Sequence, residues 1–251
     1  LLQAPVWQML GAERSEVPVY ATGGWLGSDE ELVEEALEYK KMGYSRFKMK
    51  LGKKDWEEDI RRVRLVQQTC GPDFEVMVDV NQGWDVKKAL RMAPYLEELG
   101  ITHFEEPVYA MNYDEQRMIR DRVRMDVVAG EKLYGLNETA ELLMRKCVDK
   151  LNPDIARCGG VSGFMEVGAV ANANHIPVSS HAYAYFSIPC IAAMINGDMA
   201  EIIPSWETGL FAEDISIEQG VHRLSEKPGF GCELSERALQ EWCTAKTEYA
   251  K

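Results

Sequence analysis

Residues 46–51 read RFKMKL, and the placement of its two lysines decides how the rest of the chain is read. In an extended strand side chains alternate faces, so Lys48 and Lys50 share one side while Phe47, Met49 and Leu51 share the other. The apolar side calls for a packed layer. The lysine side has two readings: the solvated face of an edge strand, or one wall of a polar site where ammonium groups meet anions. What the neighbouring strands carry chooses between them.

On either side of RFKMKL, short β-rich runs alternate with helix-patterned segments. The runs are VPVYATGG, FEVMVDVN, THFEEP, DVVAGEKL, KLNPDIARCGG, HIPVSSHA and MAEIIP; among the segments are DEELVEEALEYKKMGY, DWEEDIRRVRLVQQTC, DVKKALRMAPYLEELG and NETAELLMRKC. The segments place apolar residues near helical spacing and open on acidic residues, which suit a helix N-terminus. Ser28 with Glu31 forms a capping box for the first of them, and Gly23 and Gly24 are expected as turn residues. Strand and helix repeated eight times predict a closed parallel barrel over residues 17–215. Residues 216–251 are expected to add a strand, a turn and a helix, without a second domain.

The ionisable residues fall in phase with this repeat. Asp79 ends VMVD, Glu105 ends THFE, Glu131 follows VVAG, Asp154 follows KLNP and His181 ends PVSS, each 23 to 29 residues after the one before when counted from Lys50. One such interval is one strand–helix unit, so each would sit at the carboxyl end of a successive strand, where barrel active sites are built. Each acid alone reads as an ordinary exposed strand end. Three adjacent carboxylates converge only around a cation, so Asp79, Glu105 and Glu131 point to an all-oxygen Mg²⁺ site.

Beside such a site the lysines have a reason. Lys50 gains an anionic neighbourhood, and the second ammonium of Lys48 with partial burial is expected to lower its pKa toward that of a base. Asp154, one strand before His181, could accept a hydrogen bond from the imidazole and fix its tautomer, which makes a second base. His103, His175 and His222 fall at strand starts or in the tail and receive no role.

Composition limits the partners. The 251 residues are 46% hydrophobic, enough for a full core, and 28 basic against 41 acidic residues leave a net charge of −13. That balance argues against nucleic acid, and an anionic substrate would need locally placed cations. The six cysteines show no paired spacing and read as reduced thiols; with no signal-like start and no apolar run of membrane length, a cytoplasmic protein without a membrane partner is expected.

In KMK, VDVNQGW, FEEP, GEKLYG, NPDIARCGG and SSH, in this order and at these spacings, the chain resembles the enolase superfamily, in particular its mandelate racemase/muconate lactonizing enzyme subgroup. The resemblance implies a TIM-type (β/α)7β barrel and a Mg²⁺ enzyme that abstracts the proton next to a carboxylate through a metal-stabilised enediolate. It implies Asp79, Glu105 and Glu131 as ligands, Lys50 as base on one face of the α-carbon, and His181 paired with Asp154 as base or acid on the other. Lys48 would bind the substrate carboxylate and Asn81 would approach its α-hydroxyl. An acid at the end of the eighth strand would touch a carboxylate oxygen, and Glu201 is preferred to Glu207 for it. The family also carries an N-terminal α+β capping domain, so residues 1–16 are expected as the link to it, and family habit suggests a homo-oligomer.

These residues serve two reactions. Loss of a β-hydroxyl with His181 as acid makes an acid-sugar dehydratase, the preferred reading; return of the proton from the opposite face makes a racemase or epimerase of an α-hydroxy acid. A phosphate-binding barrel would need a glycine-rich site after the seventh and eighth strands, of which HAYAYFSIP and SWETG supply little. A barrel that kept its scaffold and lost its chemistry, acting as a binding or oligomer subunit, is the non-catalytic alternative.

Overall fold

The computed structural model describes residues 2–12, 14–25, 27–53 and 55–245; the last six residues of the expected C-terminal segment lie outside them. In chain order the elements are α1 (Val6–Met9), β1 (Glu16–Gly23), α2 (Asp29–Lys41), β2 (Arg46–Lys50), α3 (Trp56–Cys70), β3 (Glu75–Asp79), α4 (Val86–Glu98), β4 (His103–Glu105) and α5 (Tyr113–Arg120). They continue through β5 (Asp126–Ala129), α6 (Gly135–Met144), β6 (Lys150–Leu151), α7 (Gly160–Ala173), α8 (Ala184–Ala193), β7 (Ala200–Ile202), α9 (Pro204–Glu207), β8 (Val221–Arg223) and α10 (Glu236–Glu241).

The strands pair in the order β6-β5-β4-β3-β2-β1-β7, all parallel along this path. Between the outer two, residues 178–181 occupy the seventh strand position through single bridges, Leu151 to Val178 and Val178 to Gly197. Hydrogen bonds from Ser179 N to Leu151 O and from Ser180 N to Met199 O strengthen the join. The alternating elements thus curl into a (β/α) barrel in which HIPVSSHA contributes bridges rather than a full strand. Pro177 within that run has no N–H to donate, which shortens any ladder there. β8 pairs antiparallel with β1 at Glu16, Val17 and Pro18.

β2 lies between β1 and β3, so the edge-strand reading of RFKMKL does not hold. Phe47, Met49 and Leu51 are buried in the main apolar cluster with residues of the surrounding helices such as Leu32, Tyr39 and Val63. The lysines therefore point the other way, into the barrel. There Tyr20, Met77 and Met199 form a second, small cluster. Side chains fill the inside of the barrel, as in a packed core rather than a pore.

The turns follow their chemistry. The Ser28 side chain accepts from Glu31 N while the Glu31 carboxylate accepts from Ser28 N, a complete capping box. Gly23 belongs to β1 rather than to a turn. Gly24 does turn the chain, with φ +58 and a position where a Cβ would come within 2.6 Å of Met49 Cβ, so only glycine fits.

Candidate active site

The register of the sheet aligns the ionisable residues. Lys50 pairs with Asp79 and Asp79 with Glu105 along adjacent strands, while Asp154 bridges His181. Asp79, Glu105 and Glu131 are buried, and one oxygen from each lies within 4.8 Å of the others. That span is close to the widest oxygen–oxygen separation around octahedral Mg²⁺, about 4.2 Å. Glu131 Oε2 is buried without a hydrogen-bond partner among the described residues. An all-carboxylate donor set with a spare buried lone pair fits a hard divalent cation.

Cations already crowd these acids. Lys48 is fully buried, with Nζ 2.7 Å from Glu105 Oε1 and 2.8 Å from Glu201 Oε1. Burial would lower its pKa, but the charges of Glu105 and Glu201 outweigh that and raise it. Lys50 Nζ donates to Asp79 Oδ2. Burial likewise opposes its charge, yet Asp79 more than compensates, so the Lys50 pKa is raised rather than lowered. The expected depression fails because the nearest partner is a carboxylate in direct contact, and Lys48 spends its charge on Glu105 and Glu201.

His181 and Asp154 meet as expected, with Nδ1 2.9 Å from Oδ2. Burial would depress the imidazole, but the Asp154 hydrogen bond and the charges of Glu201 and Glu131 hold its pKa up at about 9. Asp154 is in turn fixed by Ala156 N at 2.8 Å and Arg157 N at 3.1 Å. Nε2 lies 3.1 Å from Glu131 Oε2, without the alignment of a hydrogen bond. Asn81, at φ +45, donates its N–H to Asp79 Oδ1 at 2.6 Å and its amide to Glu131 Oε1 at 3.5 Å.

The two candidates for the last acid separate. Glu201 on β7 is buried, accepts from Thr22 Oγ1 at 2.5 Å and from Ala182 N at 2.8 Å, and faces the same centre as Lys48. Burial would raise its pKa, but Lys48 and His181 hold it well below the usual carboxylate range. Glu207 sits on α9, accepts from Ala184 N at 3.0 Å, and lines a different cavity with Tyr39, Tyr44 and Tyr185. Lys50, Asn81, Glu131, His181 and Glu201 all line one cavity of about 480 Å³, together with Lys132 and Arg157. Trp25 and Trp206, stacked with centroids 6.4 Å apart, line it too.

Two polar residues escaped the sequence reading. His103 opens β4, is buried, and sets Nε2 3.0 Å from Glu105 Oε2; burial pulls its pKa down to about 3. Strand alternation from Glu105 would have found it. Glu106 is buried at φ +39 with both carboxylate oxygens unpartnered among the described residues. Burial, then the Glu131 and Glu105 charges, push its pKa up to about 9. Its left-handed backbone breaks the alternation, so no periodicity marks it.

Comparisons with known proteins point to one family. The family model described as Enolase C-terminal domain-like matches residues 31–238. The arabinonate dehydratase of Saccharolobus solfataricus is 29% identical over 249 residues, covering 95% of this chain and 66% of its own. The N-succinyl-L-Arg/Lys racemase of Bacillus cereus is 31% identical, covering 96% of this chain and 67% of its own. The crystal structure of L-talarate/galactarate dehydratase from Salmonella typhimurium superposes with TM-score 0.90 at 28% identity, over 95% of this chain and 60% of that one. The chain thus spans roughly two thirds of the length of these relatives.

Proposed function

Because the chain belongs to the enolase superfamily, in its mandelate racemase/muconate lactonizing enzyme-like subgroup, we propose that it is the catalytic barrel of an acid-sugar dehydratase. The observation that carries this reading is one cavity onto which Lys50 and His181 both open, Lys50 touching the carboxylate of Asp79 and His181 close to that of Glu131. Asp79, Glu105 and Glu131 would hold Mg²⁺, which supplies stabilisation of the negative charge that builds on a substrate carboxylate.

In this reading Lys50 Nζ removes the α-proton in its neutral form, which requires that Asp79, turned to the cation, no longer hold the ammonium proton. His181 Nε2 gives a proton to the departing β-hydroxyl, so water leaves and the enol that remains tautomerises to a 2-keto-3-deoxy acid. Asp154 holds His181 in the tautomer and orientation that the transfer needs. Lys48 and Asn81 are assigned to the substrate carboxylate and α-hydroxyl, and Lys48 reaches the former by exchanging one of its two carboxylate partners. Glu201 is assigned to a carboxylate oxygen, a contact it makes as donor only after taking up a proton, against the Lys48 and His181 charges that keep it ionised in the free site.

Dehydration is supported by the arabinonate and L-talarate/galactarate dehydratases among the relatives. The racemase at 31% identity favours a second reading, in which the proton returns from the opposite face. The test is incubation with Mg²⁺ and a panel of sugar and α-hydroxy acids in D₂O. Deuterium at the α-carbon or a keto-deoxy product, lost in Lys50→Ala and His181→Asn, is expected. An inverted α-carbon with no water lost replaces dehydration by racemisation; no exchange with any acid overturns both.

A further inference from the structure

We infer that His103 is a positioning residue for Glu105, holding that carboxylate in the orientation a metal needs; the inference rests on the metal-centre reading above. His103 and Glu105 are two residues apart on β4, so both side chains point into the barrel. Nε2 lies 3.0 Å from Oε2, and both residues are buried, at 2% and 0% exposure. A carboxylate oxygen accepts, which assigns the proton to Nε2. Nδ1 has no partner among the described residues, so this hydrogen bond is the one polar contact of the ring.

The ring is also held mechanically. It lies 6.3 Å from the ring of Tyr20, whose hydroxyl donates to Ser180 O at 3.3 Å. Lys48 Nζ stands 5.3 Å from the same tyrosine ring. His103 therefore has little freedom to leave Glu105.

The other two candidate ligands each have a short-range orienting donor. Asn81 N fixes Asp79 Oδ1 at 2.6 Å, and Lys132 Nζ lies 2.5 Å from Glu131 Oε1. Glu105 accepts from Lys48 at both oxygens and from His103 at Oε2 alone. Oε2 thus carries two donors, His103 and Lys48, while Oε1 carries Lys48 alone. Without His103 the carboxylate would keep only the Lys48 ammonium, a point charge that it shares with Glu201.

The test is titration with Mg²⁺ by calorimetry, with thermal melting in EDTA as a control on folding. His103→Leu, which keeps bulk and removes the donor, is expected to weaken Mg²⁺ binding by about 10- to 100-fold, the usual effect of losing such an outer partner. His103→Gln, whose amide can donate, is expected to bind Mg²⁺ more tightly than His103→Leu, recovering most of the loss. His103→Phe is a second donor-free replacement with the expectation of the first, so a folding failure of either one leaves the comparison intact. Equal affinity in wild type and the donor-free variants overturns the inference alone, as does equal loss in His103→Gln. A wild-type protein that takes up no Mg²⁺ overturns the metal-centre reading and the inference with it.

Discussion

His181 Nδ1 lies 2.9 Å from Asp154 Oδ2, joining the ends of two successive strand positions in the barrel. Asp154→Asn keeps the shape but replaces an acceptor of the imidazole proton with a group that can present a donor. Turnover is expected to fall by about 10²–10⁴-fold, the range for losing the effective protonation state of a general acid or base. The check is kcat on a sugar acid that the wild type dehydrates, with unchanged circular dichroism as control.

Lys48 carries the largest expected effect on stability. It is buried between Glu105 and Glu201, and Lys48→Met leaves both carboxylates without their cation. Breaking one side of a buried pair costs about 3–5 kcal/mol. Urea unfolding should show an unfolding free energy lower by that amount, partly reversed by adding Glu201→Gln.

Mg²⁺ should stabilise the folded chain. A ligand that binds only the native state adds about 2.7 kcal/mol at 100 times its Kd. The melting temperature is therefore expected to rise with Mg²⁺ and return with EDTA. Glu131→Gln, which removes one of the three clustered carboxylates, should abolish the rise.

Glu207 gives a pH dependence away from this centre. Burial raises its carboxyl from 4.5 to about 7. The folded state thus binds this proton more tightly than the unfolded state, so its contribution to stability is full below pH 4.5 and lost as pH rises through 7. Glu207→Gln carries no proton to lose. Urea midpoints in EDTA should show the variant gaining on wild type between pH 4.5 and pH 7.

Much of this was legible in the residues. The interval between Lys50, Asp79, Glu105, Glu131, Asp154 and His181 is the strand–helix repeat, and a repeat is a local property of sequence. Glu201 was preferred to Glu207 only through the family resemblance, whose local pattern MAEIIPSW fits. The seventh strand read as a run like the others, but with Pro177 at its start it makes only single bridges. His103 was passed over because its significance lies in facing Glu105, and Glu106 because its backbone leaves the strand.

By itself the sequence determined which residues share a face and which strand ends come into phase, since alternation and repeat length are set by the backbone. Only the tertiary structure decided the charge states, because those depend mostly on distances between groups on different strands, 20 or more residues apart. RFKMKL shows the division. Alternation sent both lysines the same way, but packing gave Lys50 to Asp79 and enclosed Lys48 between Glu105 and Glu201, raising both pKa values where local charge alone predicted one to fall.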